Sequence, residues 1–267
     1  MAADDKNNNK NSNNNNNIQS IVRVSQILHC FINYDELGIT EISQKTKLNK
    51  STAFGLINTM ESIGFLTQNP QTKRYRLGIK LFTFGSLVER RMDIRNEAHP
   101  YCEKLSEKYN ATVHLAEYYD KSLIYIDKVN NQSSAIVYSY LGRNAPLYCT
   151  GVGKSILAFL PEEEVDNYIN STELEAFTPY TIISKEKLYN ALYEIKRTGY
   201  AVDDQEIEEG LRCVAAPIFN YSHMPIAAIS ISNTISRIAI EDVPFIGKEI
   251  IDVTDKISKQ MGYYSHS

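Results

Sequence analysis

A glycine-rich segment, GVGKS, begins at Gly151 and is the first place in this sequence where the residue types could bind a phosphate. A phosphate-binding P-loop requires a further glycine five residues before Gly153, and Tyr148 occupies that position. The spacing therefore excludes a P-loop. Two interpretations stay open for Gly151 and Val152: a plain helix start that packs on a sheet, or free backbone N–H groups that hold a carboxylate.

Four small polar residues nearer the C-terminus form a second group, namely Asp203, Cys213, Ser230 and Ser232. Ser230 and Ser232 are two residues apart in an apolar segment, so a strand would place both hydroxyls on one face. Serine and cysteine donate hydrogen bonds to a carboxylate, and Asp203 could accept one from a hydroxyl or a bound water. The group is typical of a polar pocket for a small organic acid, while ordinary structural hydrogen bonding explains each residue taken singly.

An enzyme that uses Cys213 is the alternative for this segment, because five carboxylates lie between residues 203 and 209. A thiol nucleophile needs an activating base, and none of the five histidines stands in a recognisable motif beside Cys213. The acidic run is instead typical of a solvated loop and strand end. The four cysteines are scattered, without a CxxC pair or histidines at ligand spacing. We therefore expect no catalytic residue, no metal and no cofactor.

Charge is distributed unevenly along the 267 residues. Residues 18–91 contain ten lysines and arginines against five acidic residues, a net charge of +5. Residues 92–267 contain sixteen against twenty-five, a net charge of −9, and the whole chain carries −4. This asymmetry is typical of a nucleic-acid-binding module joined to a different domain. Residues 1–17 are almost all Asn, Ser, Lys and Asp, which predicts a disordered tail.

The elements that must position these groups begin with a predicted winged helix-turn-helix over residues 18–79. Apolar residues recur with helical spacing from Ile18, Gly38 interrupts the helix, and Thr40 is expected to cap the second helix. A third helix is expected to end at Gly64. Its predicted buried residues are Ala53, Leu56, Ile57, Met60 and Ile63. Strands at residues 65–67 and 74–77 then flank a turn and form the wing.

The polar face of the third helix is expected to enter the major groove of double-stranded DNA, with the wing beside it. Arg74 and Arg76 alternate with Tyr75 and Leu77, so both guanidiniums should leave the wing on one side while the apolar pair faces inward. The predicted DNA-contacting residues are Lys50, Ser51, Thr52, Asn58, Lys73, Arg74 and Arg76. Helix-turn-helix packing also occurs in proteins that bind no DNA, so a protein-interaction adaptor stays an alternative.

Residues 80–110 are expected to form a helical linker in which Pro100 starts a new helix or kinks the old one. Residues 111–267 then predict an α+β sensor domain with an antiparallel-rich sheet. Its predicted strands are 113–118, 122–129, 135–140, one entering Cys149, 201–206, 213–219 and 226–233, and its predicted helices are 152–160, 162–169, 185–197 and 240–260. No apolar run is long enough to span a bilayer and no signal peptide is visible, which predicts a cytoplasmic protein without a membrane partner.

Four stretches in this order resemble the IclR family of bacterial transcription regulators: LNKSTAFGLINTMESIGFL, RYRLG, GRNAPLYCTGVGKSILA, and GYAVDDQEIEEGLRCVAAPIF leading to AAISISN. The resemblance covers residues 18–262 and implies a winged helix domain followed by a GAF-like domain that binds small effectors. It also implies homodimers or homotetramers on palindromic operators, with repression as the default.

The resemblance further implies which residues contact the effector, a small organic acid or sugar acid that would control DNA affinity. The residues that match the family's pocket are Gly151, Val152, Asp203, Cys213, Ser230 and Ser232. The family usually has an arginine where this sequence has Gly55, in the middle of the recognition helix. The glycine removes a charged contact and lowers helix stability by about 1 kcal/mol relative to alanine.

Overall fold

The structure, a computed structural model, describes residues 18–89, 93–130 and 139–263. The chain divides into two compact units, Met1–Arg91 and Met92–Ser267. The predicted Asn-rich tail lies outside the described residues, and the predicted domain limits at 79 and 110 stay predictions. No helix among the described residues is long and apolar enough to cross a membrane.

The described part of the N-terminal unit contains three helices, a hairpin and a fourth helix. Its helices are α1 (Gln19–His29), α2 (Ile39–Thr46), α3 (Lys50–Ser62) and α4 (Ile79–Glu89), and its strands are β1 (Leu66–Gln68) and β2 (Tyr75–Leu77). The first three helices and the hairpin bury one apolar core, formed by Ile27, Phe31, Leu37, Ile42, Ala53, Ile57, Met60, Leu66 and Tyr75. The predicted winged helix-turn-helix is confirmed.

Helix ends in this unit differ from the sequence prediction at one point. Gly38, and not Thr40, stands at the N-cap of α2, where the Gly38 amide donates to Glu41 Oε2 at 2.7 Å. Thr40 was a wrong choice because the helix already begins at Ile39, so Thr40 lies within its first turn. The predicted end of α3 is confirmed, since Gly64 adopts a left-handed φ of 80° directly after the helix.

Two apolar residues that were predicted to be buried are exposed, Ile63 by 43% and Leu77 by 47%. Leu56 of α3 is only partly buried. Tyr75 is 3% exposed and bonds to Leu37 through both backbone groups, at 2.9 and 2.8 Å. The core of this small unit therefore reaches Tyr75 but ends before Leu77, where β2 finishes and the chain turns into α4.

In its described residues, the C-terminal unit is built on one antiparallel sheet of six strands in the order β5-β4-β3-β8-β7-β6. Its strands are β3 (Thr112–Tyr119), β4 (Ser122–Val129), β5 (Asn144–Ala145), β6 (Ala201–Asp204), β7 (Leu211–Phe219) and β8 (Pro225–Thr234). Its helices are α5 (Asp93–Tyr109), α6 (Gly151–Leu157), α7 (Glu162–Ser171), α8 (Lys185–Thr198) and α9 (Val243–Gln260). Helices cover both faces, which confirms the predicted α+β class.

Side-chain alternation along the central strands separates two cores. In β8, Ile229 and Ile231 belong to the core beneath α5 and α9, whereas Ala228 belongs to the core beneath α6, α7 and α8. Ser230 and Ser232 follow Ala228 at the same two-residue period, so they lie on the α6 side of the sheet. The strand pattern thus places two hydroxyls beneath α6.

Three predictions for this unit need correction or lie outside the described residues. Helix α5 runs unbroken through Pro100, so of the two expected outcomes the new helix start was wrong, and the kink stays a prediction. No strand enters Cys149 among the described residues; Thr150 Oγ1 instead donates to Pro146 O at 2.7 Å in the turn that leads into α6. Most of the predicted strand 135–140 falls on residues 131–138, which the structure does not describe.

Candidate nucleic-acid interface and polar pocket

Helix α3 presents a polar stripe on the side away from its core. The helix is capped by Asn49, whose Oδ1 accepts the Thr52 amide at 2.8 Å and the Ser51 hydroxyl at 3.0 Å. Because Ala53, Ile57 and Met60 are buried, helical periodicity leaves the opposite side to solvent. The exposed stripe consists of Ser51, Gly55, Asn58 and Ser62.

The predicted α3 contacts lie at or beside this stripe. Lys50, Ser51 and Asn58 are exposed, and Thr52 is half-buried. Phe54 was not predicted, yet its side chain is 51% exposed next to the stripe. The sequence did contain a signal, because Phe54 falls outside the apolar spacing of α3. An exposed aromatic ring on such a helix can contact a thymine methyl group in the major groove.

The three predicted wing cations have different surroundings. Lys73 and Arg76 are exposed, and Lys73 adopts a left-handed φ of 57° in the turn. Arg74 Nη2 donates to Glu36 O at 3.0 Å and to Glu41 Oε1 at 3.0 Å, and its side chain is 41% exposed. Arg74 therefore holds the wing against the start of α2, whatever else its guanidinium contacts.

We expect Gly55→Ala to stabilise the protein by about 1 kcal/mol, because glycine costs backbone entropy inside a helix. A Cβ at position 55 meets nothing within 4 Å, so the added methyl group is sterically free. The measurement is the free energy of unfolding in urea. The matched control is Gly64→Ala, which should destabilise because the residue at position 64 has a φ of 80°. Equal effects of the two substitutions would contradict this account.

In the C-terminal unit, all six predicted pocket residues line one cavity: Gly151, Val152, Asp203, Cys213, Ser230 and Ser232. The cavity has a volume of about 30 Å³. Five residues that were not predicted complete its lining, namely His114, Tyr125, Thr150, Ile207 and Leu211. Only the three-dimensional pairing of β3 and β4 with the rest of the sheet brings His114 and Tyr125 here, so the sequence contained no signal for them.

Strand register explains why residues so far apart in sequence converge. Asp203 of β6 pairs with Cys213 of β7, and Cys213 pairs with Ser232 of β8. Ser230 pairs with His114 of β3 one step along the same face. Directly paired residues point to the same side of a sheet, so these side chains form two adjacent rows on the α6 side.

Gly151 lets the start of α6 approach these rows closely, and Gly153 lets the turn before α6 pack against the helix. A Cβ on Gly151 would lie 3.2 Å from the Ala215 Cβ, and a Cβ on Gly153 would lie 2.6 Å from Thr150 Oγ1. Thr150 Oγ1 accepts the Gly153 amide at 3.0 Å, and Gly151 and Val152 supply the two amides before it. Those two amides have no acceptor within the helix, so they are available to a carboxylate.

The lysine of the GVGKS segment, Lys154, is buried and donates hydrogen bonds within the protein. Lys154 is 3% exposed, and its Nζ donates to Glu206 and, at 2.7 Å, to Val202 O. Glu206 is 5% exposed, so the interpretation of the whole acidic run as solvated was wrong at this residue and at Asp203. A buried lysine opposite the run explains the difference, and no local sequence pattern reveals that pairing.

Burial controls the charge of the titratable groups in the cavity. It raises the pKa of Asp203 to about 7, against an opposing effect of Lys154, and it also raises the pKa of Glu206. It lowers the pKa of His114 to about 3, with Lys128 acting in the same direction, so this imidazole is neutral. Burial raises the pKa of Cys213, which keeps the thiol protonated and unsuited to nucleophilic attack.

An N-terminal helix-turn-helix with an exposed polar stripe, followed by an α+β unit with a small polar pocket, is typical of one class of protein, the DNA-binding transcription regulators. Family comparison agrees. Residues 20–70 match the IclR helix-turn-helix domain, and residues 87–259 match the C-terminal domain of the bacterial transcriptional regulator IclR. The chain belongs to the IclR family of transcription regulators.

Individual relatives extend over almost the whole chain. The transcriptional regulator XynR of Escherichia coli is 36% identical over 92% of this chain and 98% of its own length. The IclR structure from Thermotoga maritima is 34% identical, with a TM-score of 0.69 over 92% of this chain and 98% of its own. An IclR homolog from Microbacterium hydrocarbonoxydans, solved with 4-hydroxybenzoate, shares the fold with a TM-score of 0.76 at 21% identity over 90% of this chain and 99% of its own.

Proposed function

We propose that this chain is a sequence-specific DNA-binding transcription regulator, by default a cytoplasmic repressor, whose operator affinity is controlled by a small organic acid or sugar acid. One observation carries the proposal. The six small or polar residues of the pocket converge on one cavity, in a chain that also contains a helix-turn-helix with an exposed polar stripe. The 4-hydroxybenzoate held by the Microbacterium homolog shows that an organic acid suits at least one member of the fold.

On DNA, α3 lies in the major groove with Asn58 near base edges, and Lys50, Lys73 and Arg76 approach phosphates. Ser51 and Thr52 contact the backbone near the helix start, and Arg74 contributes while also supporting the wing. Residues at the start of a recognition helix commonly bond phosphates, because the helix N-terminus points free N–H groups at them. Because Gly55 has no side chain, Asn58 and Phe54 are the residues of α3 that contact the bases.

A dimer on an inverted repeat completes this proposal, with a tetramer as a pair of dimers. Helix α4 exposes large apolar side chains to an extent that is unusual for a single chain. They are Ile79 (80% exposed), Phe82 (71%), Val88 (57%), Leu87 (49%) and Phe84 (46%). Burying this face against a second copy would place two recognition helices about one DNA turn apart on a palindromic operator.

The test is operator binding by fluorescence anisotropy, on a duplex that the protein selects from a randomised library. Glycolate, pyruvate, gluconate and 4-hydroxybenzoate are first screened by thermal shift, since a ligand at a hundred times its Kd stabilises by about 2.7 kcal/mol. An acid that stabilises the protein is expected to change operator affinity by about 5- to 150-fold. A protein that selects no duplex, or whose DNA affinity ignores every stabilising acid, would contradict the proposal.

A further inference from the structure

One buried cation, Lys154, and two buried carboxylates, Asp203 and Glu206, lie close together at the pocket, where Asp203 alone of the three lines the cavity. Lys154 reaches in from α6, and its ammonium donates to the Glu206 carboxylate. Asp203 lies in β6 and receives no hydrogen bond from Lys154 among the described contacts. Among the residues that the structure describes, no lysine or arginine lines the cavity itself. Since one ammonium balances one carboxylate, an ionised Asp203 would leave a net negative charge buried, which is costly without a partner.

The hydrogen bonds of Asp203 leave one of its oxygens unused. Oδ1 accepts the Glu206 amide at 2.8 Å, and the Ile207 amide also lies close to the carboxyl group. Oδ2 is buried and has no hydrogen-bond partner among the described residues, although Asp203 is only 1% exposed and lines the cavity. A buried acceptor without a donor is rare in folded proteins, so we expect a bound molecule to form a hydrogen bond with Oδ2.

The other titratable groups that face Asp203 supply no further positive charge. They come from each neighbouring element: Lys154 from α6, Glu206 from the end of β6, Cys213 from β7, Tyr125 from β4, His114 from β3, and Cys149 just before α6. Burial keeps the two thiols and the phenol protonated, and His114 is neutral. Lys154 is therefore the one cation among these groups, and Glu206 holds it.

We propose that Asp203 enters the pocket as a neutral carboxylic acid and donates a hydrogen bond from Oδ2 to the effector carboxylate, so that the effector binds together with one proton. This inference rests on the proposed effector function of the pocket. It replaces the acceptor role that the sequence suggested for Asp203. With Ser230 and Ser232, the neutral acid makes a set of donors that favours an anionic oxygen over a cation or a neutral sugar.

The proton balance follows directly. Where Asp203 is ionised in the free protein, binding one effector anion takes one proton from solvent onto Oδ2, and release returns it. Only the protonated fraction is competent to bind, so the apparent Kd equals the intrinsic value divided by that fraction. Because burial raises the pKa of Asp203 to about 7, affinity should fall about tenfold for each pH unit above that value.

The experiment is calorimetric titration of the full-length chain with glycolate, pyruvate and gluconate, whose carboxylates stay ionised from about pH 6 to about pH 8.5. Each titration is run in phosphate and in Tris, whose different ionisation enthalpies report the protons exchanged. Uptake near zero at about pH 6, rising towards one proton at about pH 8.5, is the expected result. Binding without proton exchange at any pH would overturn the inference while leaving the effector function intact.

Two variants separate the proton from the binding itself. Asp203→Asn keeps an N–H donor that does not titrate, so its affinity should be independent of pH and its proton uptake zero. Ser230→Ala removes a different donor, so it should bind about 5- to 150-fold more weakly at every pH while keeping the parent's proton uptake. An Asn variant that keeps the parent's proton uptake would assign the proton to another group and overturn the inference.

If none of the acids binds, that result counts against the proposed function. The protonation of Asp203 can then still be tested without a ligand, from the pH dependence of the unfolding temperature. A carboxyl group whose pKa is raised on folding stabilises most below its unfolded value, and that contribution is lost as pH rises through the folded value. The unfolding temperature of the parent should therefore fall relative to Asp203→Asn between about pH 5 and about pH 8. Parallel pH profiles of the two proteins would show that Asp203 is ionised throughout and would overturn its role as a donor.

Discussion

Operator affinity is expected to fall by about 10³-fold between about 50 and about 200 mM salt, because each lysine or arginine that neutralises a phosphate releases counterions. In the proposed dimer, Lys50, Lys73 and Arg76 of each protomer would provide six such contacts, and the residues from 18 to 91 carry a net charge of +5. Arg76→Ala should therefore weaken binding to all sequences and reduce the salt slope by about 1.8 per dimer. The measurement is anisotropy at several salt concentrations.

Alanine substitutions of the two wing arginines, Arg74 and Arg76, should have different effects on stability. Arg76→Ala removes an exposed charge, whereas Arg74→Ala also removes the contacts to Glu36 and Glu41 that hold the wing on α2. We expect a loss of unfolding free energy of at most about 1 kcal/mol for Arg74→Ala, since the pair is partly exposed. An exposed lysine of the other unit, Lys187, provides the control, and its alanine variant should keep the parent's slope.

If an Arg74→Ala/Arg76→Ala double variant keeps the parent's operator affinity and salt slope, the wing is excluded from the DNA interface. Asn58→Ala should behave in another way, because an amide that reads an adenine contributes about 1–3 kcal/mol of base discrimination. It should change which bases are preferred and leave the salt slope nearly unchanged. The comparison thus separates a residue that reads sequence from residues that contact phosphate.

Loss of the effector response is expected for Ser232→Ala and for Asp203→Ala, with ligand-free DNA binding near normal. Both side chains line the cavity, and Ser232 Oγ lies 3.5 Å from His114 Nδ1. Removing one buried hydrogen-bond partner costs about 1–3 kcal/mol of ligand binding, which is about 5- to 150-fold in Kd. Calorimetric titration of an acid that stabilises the parent measures this loss directly.

The control for this pair is Ser222→Ala, an exposed serine of the same unit, which should keep the parent's ligand affinity. Unchanged affinity in both Ser232→Ala and Asp203→Ala would place the pocket elsewhere. A variant that still binds the acid but no longer changes its DNA affinity would mean that the residue transmits the signal without holding the ligand, because a ligand acts only through its differential affinity for two states.

The sequence by itself determined the local elements and the faces on which residues lie. Strand β4 was predicted with its observed limits, Ser122–Val129, and Gly64 was predicted to end α3. Ser230 and Ser232 were expected on one face because side chains alternate along any strand. Such features depend on residues a few positions apart, whose preferences act before distant parts of the chain meet.

Only the tertiary structure decided which charges are buried and which side chains they meet. Lys154 and Glu206 pair across 52 positions of sequence, and Arg74 and Glu41 across 33. A run of acidic residues looks solvated until a buried lysine faces it, and a wing arginine looks unpaired until α2 is packed beside it. The charge of Asp203 is therefore set by desolvation and by how Lys154 is shared, both of which arise from long-range packing.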